Sequence, residues 1–223
     1  MEIYIDIETL PGPERPSPED IEPPKNYKDP AKIKAYQQEK LEEIYRAQAL
    51  DSMQGRILCI GWAIGDDPVS TLCVGLDGIH SECDLLHNFQ DTLLDYFIDL
   101  EGLKWTGHNV RAFDLAWLWR KALQHRLFSL ARIIPRARYD KRIMDTLEIW
   151  AADYRDKVSL EAIAHFLGLT GKTEGLDGTK VYDFWLEGRL QEIRDYCAWD
   201  VELTRQVYRI VTGASIMDEV VQA

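Results

Sequence analysis

The first residues of the chain place two carboxylates on a pattern typical of a buried β-strand. Isoleucines alternate with polar residues over positions 2–9 (EIYIDIET), so Asp6 and Glu8 share one face of the strand. Two close carboxylates repel each other unless a cation or water lies between them, and such a pair suits Mg²⁺ or Mn²⁺. Because the chain has 38 Asp and Glu residues, such a pair also arises by chance, and it indicates a metal site only together with further acids elsewhere in the chain.

The size and composition indicate a folded chain with a substantial core. The chain has 223 residues, of which 46% are hydrophobic and 10% aromatic. No apolar run reaches the roughly 20 residues of a membrane helix, and no signal-peptide pattern opens the sequence. The four cysteines lack C-x-x-C spacing, so we expect small core residues rather than a zinc site or disulfides. We therefore expect a cytoplasmic protein with no membrane partner.

The charge is unevenly distributed. The chain carries −12 in total, but the segment 120–142 has eight Lys and Arg residues against one acid, Asp140. That segment is +7, which leaves −19 for the remainder. An acidic body with one basic segment can bind phosphates locally, and the alternative is an ordinary solvated surface.

Residues 11–50 separate the first strand from the next one. Prolines break regular structure up to residue 24, and a helix is predicted from Lys32 to Ala49, after a start at Asp29-Pro30. This segment leaves the first strand directly after the two acids, so it must emerge at the edge where those acids lie. We interpret it as an insertion that caps a cleft or guides a single strand, and the alternative is a packing element.

The remaining segments predict an α/β fold. Strands at 55–65 and 69–76 would complete an antiparallel three-strand meander, and further strands are predicted at 103–108 and at 143–146. Helices are predicted at 82–100, 112–127, 160–167, 181–186 and 190–211, with Ser159 as an N-cap and Gly168 as a stop. The order predicts a mixed sheet flanked by helices. We expect a single domain over residues 1–212 and a C-terminal tail at 213–223.

Two later segments add acids and a phenol. The run 107–114 (GHNVRAFD) places Asp114 at the start of a helix after a strand, where its carboxylate points toward the end of the sheet. In the last helix, Tyr196 and Asp200 are four residues apart and share a face. The candidate metal ligands are therefore Asp6, Glu8, Asp114 and Asp200.

The three segments, Asp-Ile-Glu-Thr, Asn-x-x-x-Phe-Asp and Tyr-x-x-x-Asp, resemble in this order the motifs of the DEDD superfamily of 3′–5′ exonucleases. The chain is similar to the tyrosine (DEDDy) branch, which includes the proofreading domain of family B DNA polymerases. The resemblance spans residues 1 to about 212 and implies a ribonuclease-H-like fold. The histidine branch places its base five residues before the last acid, where this chain has Asp195, so that branch does not fit.

The resemblance implies hydrolysis with two divalent metal ions, Mg²⁺ or Mn²⁺. Asp6, Glu8 and Asp200 would hold the ion nearer the nucleophile, and Asp6 would bridge to the second ion, helped by Asp114. Tyr196 would mainly orient the attacking water, because a phenol with a pKa near 10 is a poor base at neutral pH.

Substrate contacts are also implied by the resemblance. Asn109 and Phe113 would line the cleft, and the backbone at Thr9 and Leu10 would meet the 3′-terminal nucleotide. Asn109 could instead be a helix N-cap, and Phe113 could be a core aromatic residue.

Three further polar residues have weaker signals. The run Gly171-Lys172-Thr173 is not a phosphate loop, because the glycine required five residues earlier is Phe166. Lys172 is still a candidate substrate contact. We expect structural roles for His108 and for Asp145, the latter as a hydrogen-bonding acid.

The predicted function is metal-dependent 3′–5′ exonucleolysis of single-stranded nucleic acid that releases nucleoside 5′-monophosphates. DNA is favoured over RNA because the resemblance is to polymerase proofreading domains. An RNA-trimming exonuclease, a non-catalytic nucleic-acid-binding module and a polymerase-associated subunit are the alternatives. No polymerase domain follows the last helix, so we expect a free-standing enzyme or a replication or repair partner in trans.

Overall fold

A mixed five-stranded sheet is the centre of the computed structural model, which describes residues 1–96, 102–151, 157–169 and 177–214. The strands are β1 (Glu2–Leu10), β2 (Arg56–Ile64), β3 (Ser70–Cys73), β4 (Lys104–Gly107) and β5 (Ile143–Asp145). Their order is β3-β2-β1-β4-β5. The first three strands pair antiparallel, and β4 and β5 extend the sheet in parallel. The predicted meander with additional parallel strands is confirmed.

Helices flank the sheet. In the described ranges they are α1 (Pro30–Ala47), α2 (Glu82–Tyr96), α3 (Asp114–Gln124), α4 (Phe128–Ile133), α5 (Thr146–Trp150), α6 (Leu160–Phe166), α7 (Val181–Leu186) and α8 (Leu190–Thr212). Ser159 caps α6 by accepting from the Ala162 amide at 3.2 Å, and Gly168, at φ 73°, follows its end, as predicted. Within the described ranges no helix has the length and apolarity needed to cross a membrane.

The alternation along β1 gives the sheet its two faces. Ile3, Ile5 and Ile7 lie in the main core, together with residues of α2 and α3 such as Phe89 and Trp117. Fully burying one such side chain contributes about 2 kcal/mol. The opposite face of β1 carries Asp6 and Glu8 and packs against α8. The strand that anchors the core therefore also fixes the two acids.

A glycine brings α8 close to the acids. Gly61 in β2 pairs with Asp6 of β1, and a Cβ atom at this position would lie 2.9 Å from Cys197 Sγ and 3.0 Å from Val201 Cγ2. Any side chain here would push α8 away from the sheet, because such distances are shorter than normal contacts. The absence of a side chain at Gly61 thus lets α8 approach β1 at the level of Asp6.

Some predicted boundaries are wrong. The third helix begins at Asp114 rather than at residue 112, and its N-cap is Phe113. Asn109 adopts a left-handed backbone (φ 58°) in the preceding loop, so its interpretation as an N-cap is wrong. Strand β3 is shorter than predicted, and α4 and α5 were not predicted because each is under two turns long. The end of the predicted helix 82–100 lies outside the described residues beyond residue 96.

Candidate active site

Three separated segments bring their acids to one cleft of about 470 Å³. The strand β1 contributes Asp6 and Glu8, the start of α3 contributes Asp114, and α8 contributes the last acid and the phenol. The predicted residues that line this cleft are Asp6, Glu8, Thr9, Asn109, Phe113, Asp114, Tyr196 and Asp200. The sequence positions involved span almost 200 residues, so the cluster exists only in the folded chain.

The carboxylates of β1 lie beside a thiol. One carboxylate oxygen of Asp6, one of Glu8 and the Sγ of Cys197 all lie within 4.8 Å of one another. Cys197 donates to the backbone oxygen of Asp6 at 3.6 Å. In the described part of the chain, the Asp6 Oδ2 atom is buried and has no hydrogen-bond partner. A buried carboxylate oxygen without a donor is costly unless a cation or an ordered water reaches it.

Asp114 is fixed against the first strand. It is only 3% exposed, and its Oδ1 accepts the Ile7 amide at 3.0 Å. Burial raises the pKa of Asp114 to about 8, although hydrogen bonds to backbone amides act in the opposite direction. This bond holds the start of α3 beside the two acids of β1.

Burial and the neighbouring acids together raise the proton affinity of Asp6 and Tyr196. The pKa of Asp6 is well above its usual value because the carboxylate is desolvated by burial and faces the charges of Glu8, Asp200 and Asp114. The pKa of Tyr196 is raised beyond its usual range by burial and by Asp200, Glu8 and Asp6. The raised pKa favours the protonated phenol, which can donate a hydrogen bond.

The arrangement fits hard divalent cations. Four carboxylates converge, and oxygen donors of this type are the ligands that Mg²⁺ and Mn²⁺ prefer. A cation at this position would offset the repulsion and desolvation that raise the acids' pKa values. The residues that could hold it are Asp6, Glu8, Asp114 and Asp200.

A buried acid on the neighbouring strand shapes the loop before Asp114. The carboxylate of Asp145 accepts three backbone amides, from Asn109 at 2.8 Å, Arg111 at 3.1 Å and Leu147 at 3.1 Å. The structure thus gives Asp145 the hydrogen-bonding role expected of it. Anchoring this loop places the exposed Asn109 beside the cleft.

His108 joins the same loop to the start of α6. Its Nδ1 lies 3.0 Å from Thr146 Oγ1, and its Nε2 lies 2.9 Å from the backbone oxygen of Val158. Burial lowers the pKa of His108, so the neutral ring is favoured. Both ring nitrogens are engaged, which agrees with the structural role expected for this residue.

The predicted substrate contacts divide into three groups. Thr9 lines the cleft, but its hydroxyl donates to the backbone oxygen of Ala49 at 2.6 Å. Phe113 is half-buried, packs on the core beside Trp117 with ring centroids 5.8 Å apart, and still lines the cleft. Leu10 is not among the residues that line the cleft, and its side chain packs into a hydrophobic cluster. Lys172 lies outside the described residues.

The segment 11–50 supplies one side of the cleft. Residues from the end of α1 and the turn after it line the cleft; we call these residues, Glu43, Arg46, Ala47, Ala49 and Leu50, the α1 wall. The α1 wall is tethered to β1 through Ala49, as described above. Among the described residues that line the cleft, Arg46 is the one Lys or Arg side chain.

Contacts with α7 hold the α1 wall in position. Arg46 pairs with Asp183 at 2.6 Å, and its guanidinium lies 5.0 Å from the centroid of the Tyr182 ring. Tyr45 packs edge-on against the same ring at 5.8 Å and donates to the backbone oxygen of Gly12 at 2.9 Å. The α1 wall and α7 therefore form one continuous border of the cleft.

The residues of the α1 wall and Tyr182 were not predicted to line the cleft. The sequence indicated only the position of the segment as a whole. Residues 11–50 leave β1 directly after the two acids, so the segment had to begin at the edge of the sheet where the acids lie. No local pattern distinguishes Arg46 from the other charged residues of α1, because its position depends on how α1 packs against α7.

The architecture and the acid cluster define a class of protein. The fold of the chain is similar to part of the family B DNA polymerase of the hyperthermophilic archaeon Pyrobaculum calidifontis, with a TM-score of 0.54 and 15% sequence identity. The match covers 95% of this chain and 24% of the polymerase chain, so this chain spans about a quarter of the polymerase's length. The likeness confirms the ribonuclease-H-like fold that the sequence predicted. No curated protein matches the chain.

Most of the chain matches a known protein family. Residues 56–218, more than half of the chain, match the family described as predicted 3′–5′ exonucleases related to the exonuclease domain of PolB. The chain belongs to this family. Asp114, Tyr196 and Asp200 lie inside the matched residues, whereas Asp6, Glu8 and the segment 11–50 precede them. At the level of the family the chain is thus an exonuclease-like protein whose expected ligand is nucleic acid.

Proposed function

We propose that this chain is a metal-dependent 3′–5′ exonuclease of the tyrosine (DEDDy) branch that removes nucleoside 5′-monophosphates from single-stranded nucleic acid, with DNA preferred over RNA. The observation that supports the proposal most directly is the convergence of four acids and one phenol from three distant segments on a single cleft. Membership of a family of predicted 3′–5′ exonucleases agrees with it. The preference for DNA rests on the relation of that family to PolB.

Each residue of the cluster has a role in this proposal. Asp6, Glu8, Asp114 and Asp200 would hold two divalent cations, Mg²⁺ or Mn²⁺. When bound, such ions neutralise phosphate charge and lower the pKa of a bound water. Asp114 can offer the oxygen that does not accept the Ile7 amide. Asn109 and Phe113 border the space in which the terminal nucleotide would lie.

The proposal is tested with matched single strands of DNA and RNA that carry a 5′ label. In the presence of Mg²⁺ or Mn²⁺, we expect a ladder that shortens from the 3′ end, faster on DNA, and absent with the Asp6→Ala variant or with a chelator. Faster trimming of RNA would make the chain an exoribonuclease. Binding of both strands without cleavage of either would instead indicate a non-catalytic binding module or a subunit that needs a partner in trans.

Tyr196 is proposed to orient the attacking water. Removing its hydroxyl with Tyr196→Phe deletes one hydrogen bond near charged groups, worth about 1.5–3 kcal/mol. We therefore expect kcat to fall by about 10- to 150-fold, with little change in KM. The measurement is kcat and KM from pH 6 to 9 for both proteins.

The shape of the pH profile separates orientation from base catalysis. Because burial and the neighbouring acids raise the pKa of Tyr196, its phenol does not titrate in this range, and both profiles should have the same shape. An unchanged kcat would exclude any role for the hydroxyl. Loss of a titration step in the variant would assign the phenol as a base.

The α1 wall is proposed to restrict the cleft to a single strand. Replacing residues 12–49 with a short Gly-Ser linker should lower the ratio of single-strand to blunt-duplex cleavage at least about tenfold, equivalent to about 1.4 kcal/mol. The rates on the two substrates, compared with the wild-type chain, give this ratio. An unchanged ratio would reduce the segment to a packing element.

A point substitution gives a second test in case the deletion impairs folding. Arg46→Ala removes the contacts with Asp183 and Tyr182 that hold the α1 wall against α7, so it should lower the ratio of single-strand to blunt-duplex cleavage, as the deletion does. Lys32→Ala is the matched control, because it removes one exposed charge from α1 at a position that does not line the cleft. Equal effects of the two substitutions would contradict a local role for Arg46.

A further inference from the structure

A second, open groove of about 610 Å³ lies next to the loop that carries Asn109. Its lining includes three basic residues, Arg111, Arg138 and Lys141, and the aromatic residue Tyr139, whose side chain is 83% exposed. We call it the basic groove. Three of these four residues belong to the basic segment 120–142 that stands out in an otherwise acidic sequence.

The acids in the basic groove are already neutralised. Asp140 is bound by the guanidinium of Arg142, through Oδ2 at 2.8 Å and Oδ1 at 3.1 Å. Glu148 pairs with Arg111 Nε at 2.8 Å. Within the described residues, Arg138 and Lys141 form no ion pair and are exposed to solvent. The groove therefore presents positive charge that the protein itself does not compensate.

Tyr139 gives the basic groove a flat aromatic surface. The guanidinium of Arg138 lies 5.5 Å from the centroid of the Tyr139 ring, so charge and aromatic face occur side by side. Single-stranded nucleic acids are bound by this combination, in which cations follow the phosphates and bases stack on aromatic rings. An acidic protein surface would use the charge but would have no need for an exposed ring.

The loop 108–114 connects the basic groove with the acid cluster. Asp145 holds both Asn109, which lines the cleft, and Arg111, which lines the groove. On another border of the cleft, Arg46 and Asp183 join the α1 wall to α7. A strand whose 3′ end lies at the acids can thus leave the cleft over Asn109 and continue into the basic groove.

We propose that the basic groove is an accessory binding site for the single strand upstream of the scissile phosphate. This inference rests on the proposed function, because it assumes that the 3′ end lies at the acid cluster. The groove would hold phosphates with Arg138 and Lys141 and stack one base on Tyr139. It would raise affinity for long strands without affecting the shortest ones.

The test measures binding of the full chain to fluorescent DNA strands in the presence of a chelator, so that no cleavage occurs. The strands are a trinucleotide and an oligomer of about 16 nucleotides, near the upper site size of single-strand-binding modules. For the long strand, Tyr139→Ala should weaken binding at least about 5-fold, whereas Tyr139→Phe keeps the ring and should bind like the wild type. Trinucleotide binding should be unchanged in both variants.

The charged residues are tested through the salt dependence. Arg138→Ala/Lys141→Ala should reduce the slope of log affinity against log salt by about 1.4 for the long strand, because each single-strand phosphate contact contributes about 0.7. Lys28→Ala/Arg132→Ala is the matched control, since it removes the same charge from exposed positions outside the groove. The control slope should equal that of the wild type.

Two results would overturn the inference. The first is an unchanged affinity and salt slope for the long strand in the groove variants; the second is an equal loss for the trinucleotide. Because binding is measured without cleavage, failure of the proposed function is recognised separately. A chain that binds through the groove but never cleaves would count against the exonuclease proposal and would leave the basic groove as a single-strand-binding site.

Discussion

Asp6→Asn is expected to abolish cleavage and, at the same time, to raise the melting temperature of the metal-free protein. The asparagine side chain has the same shape but replaces an acid whose ionisation is disfavoured by burial and by the neighbouring acids Glu8, Asp200 and Asp114. Cation-mediated stabilisation of a phosphoryl transition state is worth several kcal/mol, so the rate should fall by about 10³-fold or more. Relief of about 1 kcal/mol of repulsion would raise the melting temperature by about 2–4 °C.

The same preparation provides both measurements, cleavage of a labelled strand and thermal unfolding in chelator. Asp195→Asn is the matched control, because Asp195 is an exposed acid of the same helix as Asp200 and does not line the cleft. We expect neither activity nor melting temperature to change in the control. An Asp6→Asn variant that is inactive but also less stable would contradict the picture of a strained, metal-free acid cluster.

Metal binding is expected to stabilise the fold increasingly as pH rises. Burial raises the pKa of Asp114 to about 8, above its usual value of 3.8, so the folded chain retains a proton that the unfolded chain has lost. The stability of the metal-free protein due to this group therefore falls as pH rises from about 4 to about 8. Cations compete with that proton, so their stabilising effect grows over the same range.

Thermal unfolding from pH 5 to 8.5, with chelator or with Mg²⁺ or Mn²⁺, measures this linkage. At pH 8 and about 100 times the dissociation constant, metal adds about 2.7 kcal/mol, or roughly 5–10 °C. The pKa of His108 is lowered by burial, so its contribution to stability rises with pH, opposite to that of Asp114. The pH dependence of the wild type is therefore compared with that of the Asp114→Asn variant. That variant should show a flatter pH dependence and a smaller metal shift. A metal shift that is larger at pH 5 than at pH 8 would refute the linkage.

The α1 wall and the basic groove lie outside the acid cluster, and we propose a different role for each of them. The α1 wall would control which strands reach the acids, and the basic groove would hold the strand that leaves them. Their tests have different readouts, a ratio of cleavage rates in one case and the length and salt dependence of binding in the other. Each proposal can therefore fail without the other.

The sequence by itself determined the features that depend on local periodicity. Alternation along β1 placed Asp6 and Glu8 on one face, and four-residue spacing placed Tyr196 and Asp200 together on α8. The antiparallel three-strand meander and the flanking helices were predicted from the same kind of pattern. These predictions succeed because the backbone geometry of a strand or helix fixes which neighbouring side chains share a face.

Only the tertiary structure decided how distant segments meet. Gly61 permits the close approach of α8, and Asp145 organises a loop that lies more than 30 residues earlier in the chain. Arg46 reaches the cleft because α1 packs on α7, and the side chain of Leu10 packs into a hydrophobic cluster instead of lining the cleft. Such positions result from packing between elements that are far apart in sequence, and periodicity within one element carries no information about that packing.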